Sequence, residues 1–187
     1  MSPTRLIIGI TGSSGIIYGI RLLQVLKTLS IETHVVVTKA GQLTRAYETD
    51  LSLAELKALA DVYHAPNDIA ASIASGSFKT EGMIVAPCSM NSLSDIAHGS
   101  SRNLLTRAAD VVLKERRRLV LMPRECPLHL GHLKNMMMVT EMGGIIFPPI
   151  PAFYQKPLSI NDIIDDTVGR VLDLFNIESG LVSRWSK

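Results

Sequence analysis

Apolar residues along this chain fall into two patterns. Short aliphatic runs without polar alternation, such as Leu6-Ile7-Ile8, Val35-Val36-Val37, Met83-Ile84-Val85 and Leu119-Val120-Leu121, are separated by stretches in which apolar positions recur every three or four residues. The first pattern marks strands covered on both faces, and the second marks amphipathic helices. Strands are predicted over residues 5–11, 33–38, 62–64, 82–86, 118–122 and 145–147, with Pro87 closing the fourth. Helices are predicted over 14–29, 40–47, 53–60, 92–97, 104–117, 128–142 and 160–175. Strands alternating with helices imply an α/β fold, a doubly wound parallel sheet of Rossmann or flavodoxin-like type. No repeat, low-complexity segment or linker interrupts residues 1–187, so a single domain is expected.

Such sheets bind ligands beyond the carboxyl ends of their strands. Attention therefore falls on residues 12–15, 38–39, 87–91 and 124–125. Composition narrows the partners. Hydrophobic residues make up 47% of the chain, aromatics 5%, and the formal net charge is +2. That charge is too small to argue for nucleic acid or an acidic membrane surface. The run Arg116-Arg117-Arg118 reads as the basic end of a helix complementing its dipole. No apolar run approaches the ~20 residues that span a bilayer. The chain enters a strand within a few residues of Met1, and its two cysteines make neither a disulfide framework nor a zinc site. A cytoplasmic protein is expected.

The turn Gly12-Ser13-Ser14-Gly15 directs backbone N–H groups and hydroxyls at a phosphate. It lacks the dinucleotide fingerprint, and the second strand ends in Thr38-Lys39 with no acid for a ribose hydroxyl. A mononucleotide fits better. Pro87-Cys88-Ser89-Met90-Asn91-Ser92 opens a helix with small polar groups, either as an N-cap or as ligand donors. Arg124 can grip a phosphate in bidentate fashion, and Glu125 beside it is a candidate general acid. An ordinary surface ion pair is the alternative. Glu48 reads as a helix-boundary carboxylate. His129 and His132 share a helix face, but no third ligand has metal-site spacing. Asp162, Asp165 and Asp166 resemble a magnesium-diphosphate motif, yet Asp162 and Asp165 read more simply as carboxylates in the first turns of the last helix, where they suit its dipole. Met136-Met137-Met138 reads as core or subunit-contact filler.

Taken together, these stretches resemble the UbiX-like flavin prenyltransferases, formerly described as phenylacrylic acid or 3-octaprenyl-4-hydroxybenzoate decarboxylases. The resemblance runs through Thr11–Gly15, Glu48-Thr49-Asp50, Pro87-Cys88-Ser89, Arg107–Val111, Leu113–Arg117, Pro123-Arg124-Glu125, Pro151–Tyr154 and Arg184-Trp185. It implies an FMN-binding enzyme that transfers a dimethylallyl group from dimethylallyl phosphate to N5 and C6 of reduced FMN. The product would serve a UbiD-type decarboxylase. The resemblance also implies a homododecamer with sites at subunit junctions and no metal.

By position, Gly12, Ser13, Ser14, Thr38, Cys88, Ser89, Met90, Asn91 and Arg124 would line FMN. Lys114, Arg124, Glu125, Tyr154 and Arg170 would surround the prenyl phosphate, with Arg107, Glu48 and Trp185 in support. Catalytic roles are implied for Ser14, Glu48, Lys114 and Glu125. Cys126 stands where relatives often carry Thr or Ala, and Thr38 where Ser is common; neither removes a needed group. Met90-Asn91 is similar to a motif of flavin-dependent cysteine decarboxylases, but its spacing from Pro87 is one residue too long and the Trp expected further on is missing. The other readings are an FMN-dependent aromatic-acid decarboxylase and a non-catalytic FMN carrier.

Overall fold

The computed structural model describes residues 4–182 and 184. Six strands run in one wholly parallel sheet of order β3-β2-β1-β4-β5-β6: β1 (Arg5–Ile10), β2 (Glu32–Val37), β3 (Val62–His64), β4 (Gly82–Cys88), β5 (Arg118–Pro123) and β6 (Ile145–Ile146). The chain winds outward from β1 to β3, returns to β4 beside β1, and winds out the other way. The strand order therefore reverses between β1 and β4, which opens a crevice at their carboxyl ends.

Seven helices cover the sheet: α1 (Ile16–Thr28), α2 (Lys39–Glu48), α3 (Leu53–Leu59), α4 (Met90–Ala97), α5 (Leu104–Lys114), α6 (Leu130–Glu141) and α7 (Ile160–Asp173). The side-chain period of two divides the strands between two cores. Leu6, Ile8 and Ile10 of β1 face α1 and α7, packing with Leu22, Leu26, Val168 and Leu172. Ile7, with Met83 and Val85 of β4, faces α4 and α5, packing with Leu93, Leu105 and Ala109. Each fully buried aliphatic side chain contributes about 1.5–3 kcal/mol. Gly19 lets α1 lie directly on β4, because a Cβ there would stand 2.4 Å from the Ala86 carbonyl oxygen.

The predicted elements are all present, with shifted ends. The clearest difference is at Pro87, which does not close β4. The strand continues to Cys88 through a register irregularity after Val85, with a cis Ala86–Pro87 peptide. Proline lacks only a donor, and the irregularity accommodates that loss. The predicted first helix starts at Ile16 rather than Ser14, since Gly15 takes a left-handed φ of 102°. The predicted helix over 104–117 stops at Lys114, and Arg116 takes a φ of 57°. Arg117 then donates to the carbonyls of Gly76 and Phe78, and Arg118 to that of Leu174, so two of the three arginines staple loop carbonyls. Asp162 closes a capping box with Ser159 at the start of α7. Two 3-10 turns, Ser72–Ala74 and Phe153–Gln155, were not predicted.

Candidate active site at the carboxyl edge of the sheet

Thr11, the residue after β1, is fully buried and joins the two central tips. Its hydroxyl donates to the Pro87 carbonyl (2.8 Å) and accepts from the Ser89 N–H (2.7 Å), while its own N–H also bonds Pro87 (3.2 Å). The turn 12–15 and the segment 87–89 are thereby held together across the crevice. On the other side, Thr44 of α2 donates to the Gly12 carbonyl (3.0 Å), and Thr38 caps α2 by accepting from Gly41 (3.0 Å).

Glu48 corrects the simple phosphate reading of this turn. It is the last residue of α2, and its carboxylate accepts from the backbone N–H groups of Gly15 (2.9 Å) and Ile16 (3.1 Å). The amino terminus of α1, the obvious anion site, is thus occupied by an internal anion. Burial pushes the Glu48 carboxyl up, but the Ser14 hydroxyl, the two N–H groups and the charge of Arg124 outweigh it and hold it below its ordinary value. Ser14, Glu48 and Arg124 therefore form one cluster. What the turn still offers a ligand is Ser13, whose buried hydroxyl finds no hydrogen-bond partner among the described residues. A buried hydroxyl left unpaired is costly, and a phosphate or polar flavin edge would satisfy it. The donor set therefore fits FMN.

Ser89 caps α4 by accepting from Ser92 (3.3 Å), so the N-cap reading of that segment is realised; Met90 and Asn91 form the first turn of α4. Cys88 is more buried than Ser89 or Met90. Its side chain is 0% exposed within the α4–α5 core, and burial pushes its thiol up to about 12. Only its backbone can meet a flavin, and its carbonyl already accepts from the Arg124 N–H (3.3 Å). Arg124 and Glu125 follow β5, both exposed, and Glu125 accepts from the Cys126 N–H (3.1 Å).

A second recess lies on the α7 side. Tyr154, from the 3-10 turn after Pro151, and Arg170, from α7, line a cavity of about 220 Å³ together with Ile150, Asp166 and Thr167. Residues 16 apart in sequence are brought to one wall, and a cation and a phenol share it with an apolar side chain.

The structure does not bring every predicted residue here. Lys114 ends α5, four residues before Arg118, which pairs with Gly82 at the amino end of β4. It pairs with Glu115, at the opposite edge of its own sheet. Arg107 is engaged by the Ala74 carbonyl (3.3 Å) and Asp110 (2.8 Å). Trp185 lies outside the described residues. His129 and His132 stack at 3.6 Å beside Met90 and Asn91, and no cluster of three metal-ligating side chains occurs among the described residues. Sequence reasoning missed Thr11 and Thr44. A polar residue directly after an aliphatic strand was the available signal for Thr11; nothing local marked Thr44.

The family model described as Flavoprotein matches residues 1–184, so this switch-point sheet with its serine-rich turn and unsatisfied buried hydroxyl belongs to a protein of the flavoprotein class. The flavin prenyltransferase UbiX of Escherichia coli (strain K12) is 58% identical over 184 residues, 97% of this chain and 97% of that protein. The crystal structure of AnUbiX (PadA1) in complex with FMN and dimethylallyl pyrophosphate has a TM-score of 0.98 at 49% identity, covering 100% of this chain and 99% of that one. A dodecameric FMN-dependent UbiX-like decarboxylase from Escherichia coli O157:H7 has a TM-score of 0.96 at 48% identity, covering 98% and 100%. The chain belongs to the UbiX family of flavin prenyltransferases.

Proposed function

We propose that this chain transfers a dimethylallyl group from dimethylallyl phosphate to N5 and C6 of reduced FMN, without a metal. The observation that carries the proposal is the second recess. A protein that only holds FMN has no use for a separate wall bearing Arg170 and Tyr154. Relatives named flavin prenyltransferase at 50–58% identity support the same reading.

When bound, reduced FMN supplies the nucleophilic ring positions. The chain's own groups do the rest. Gly12, Ser13, Thr38, Ser89, Met90, Asn91 and Arg124 hold the flavin, and Cys88 contributes backbone only. Breaking the allylic C–O bond leaves negative charge on phosphate, which Arg170, Arg124 and the Tyr154 hydroxyl stabilise. Glu125 protonates the leaving oxygen, and the released phosphate takes the proton lost on ring closure. Ser14, held by Glu48, moves a proton at N5. Lys114 stands at the far edge of its own sheet, so it serves the site of a neighbouring copy in a dodecamer. Arg107 supports α5. The prenylated flavin passes to a UbiD-type decarboxylase.

Free Cys88 and Cys126 suit a reducing cytoplasm, and no described helix is long and apolar enough to cross a membrane.

The test is anaerobic incubation with reduced FMN and dimethylallyl phosphate, followed by mass spectrometry of the released flavin. A flavin heavier by one five-carbon unit, lost in Glu125→Gln, is the expected result. Unmodified FMN from a flavin-binding protein would overturn the proposal, and carbon dioxide release from an aromatic acid would then separate a decarboxylase from a carrier.

A further inference from the structure

The adjacent carboxylates Asp165 and Asp166 on α7 each have a partner on a different element. Asp165 accepts from Arg21 of α1 through both oxygens, with Nε at 2.6 Å and the second contact at 3.1 Å. The pair is about one-third exposed and bidentate, the geometry in which an Arg–carboxylate contact fixes orientation as well as distance. Asp166 points elsewhere, as consecutive helical residues must. Its Oδ1 accepts from the Gln155 amide (2.8 Å), and that amide nitrogen lies 3.5 Å from the Tyr154 hydroxyl. Arg170 stands four residues beyond Asp166, one turn along the same face. Thr167, between them, meets the hydroxyl of Tyr18 on α1. The Tyr18 ring in turn packs against Gly15, where a Cβ would stand 3.2 Å from it.

A continuous path therefore runs from the Ser14–Gly15 turn, along α1 to Arg21, across to Asp165, and through Asp166 and Gln155 to Tyr154. We infer that Asp165 and Asp166 are positioning residues that set where the Tyr154–Arg170 recess stands relative to the Ser14–Gly15 turn. The carboxylates that resemble a metal-diphosphate motif in sequence are engaged as a two-way clamp. The inference rests on the function proposed above, in which the turn addresses the flavin and the recess addresses the departing phosphate. Group transfer between two separately held substrates is sensitive to their spacing, and a misplacement of about 1 Å can cost up to two orders of magnitude.

The experiment compares Arg21→Gln, Asp165→Ala, their double variant, Asp166→Ala and Asp166→Asn with wild type. It measures the FMN dissociation constant by flavin fluorescence, and KM and kcat for dimethylallyl phosphate. Thermal melting confirms that each variant is folded. Asp166→Ala is expected to raise KM about tenfold, with FMN affinity unchanged within about twofold. Asp166→Asn keeps an acceptor for Gln155 while removing the charge, so KM stays within about twofold of wild type. Arg21→Gln, Asp165→Ala and their double variant are expected to raise KM by the same factor, because each breaks the same contact. Unchanged KM in folded Asp166→Ala or Arg21→Gln would overturn the inference, as would FMN affinity falling in parallel with KM. A wild-type protein that binds FMN and fails to prenylate it overturns the functional reading instead, and the inference with it.

Discussion

Glu48 shows how much a single carboxylate can determine. By bonding Gly15 and Ile16 it satisfies the start of α1 from within the chain. Its carboxyl is held below its ordinary value, so its stabilising effect is full above the unfolded value near 4.3 and is lost as pH falls through the folded one. Glu48→Ala is expected to cost about 1 kcal/mol at pH 7, as loss of a helix cap does. The difference from wild type shrinks toward pH 3, measured by urea midpoints. Cys88 gives a second residue-level expectation. With its thiol buried and raised to about 12, it resists iodoacetamide at pH 8 in the folded protein and reacts only after unfolding, as peptide mass mapping would show. Sequence alone read Glu48 as a boundary residue, which it is along α2. The partner that gives it meaning lies 33 residues away, and no local pattern encodes that contact.

Among the elements, β2 and β3 carry a buried polar pair that the strand pattern concealed. His34 and His64 are 3% and 8% exposed, with His34 Nδ1 and His64 Nε2 at 2.9 Å, and His34 Nε2 reaches Glu32 at 2.8 Å. Arg5 also pairs with Glu32, and Asp68 faces His64. Burial first, and His34 second, hold His64 below its ordinary value. The unfolded chain therefore takes a proton that the folded one resists. Stability is full above about pH 6.5 and declines as pH falls below it toward the folded value. His64→Leu is expected to flatten that slope in urea titrations between about pH 6.5 and 5, while costing about 1–3 kcal/mol at pH 7.5 because His34 loses its partner. The elements themselves were largely legible, because aliphatic runs and helical periods are local signals. The end of β4 was not. Whether a strand accommodates Pro87 depends on its register with β5, a property of two distant segments.

For the whole molecule, the doubly wound topology followed from the alternation of elements, and it directed attention to the carboxyl edge of the sheet, where the strand order reverses between β1 and β4. Lys114 is the instructive exception. It sits at the other edge, so under the proposed function Lys114→Ala and Glu125→Gln each fail alone, yet mixed assemblies regain partial turnover where an intact lysine meets an intact glutamate. Reassembly of the two variants, scored by prenylated flavin, checks this; turnover no higher than the sum of the separate variants would count against shared sites. α6 also looks outward. Of its 12 residues only Val139 is buried, and Leu130, Leu133 and Met137 are exposed, a face suited to association with further copies. The way Thr11 and Glu48 brace the binding loops from inside has a consequence for turnover. Under the proposed function the prenylated flavin leaves, so the enzyme must part with the very molecule that most flavin proteins keep as an internal scaffold. Here the doorway is framed by the chain itself, so departure of the finished cofactor need not bring down the frame, and the next flavin arrives at an opening already in shape.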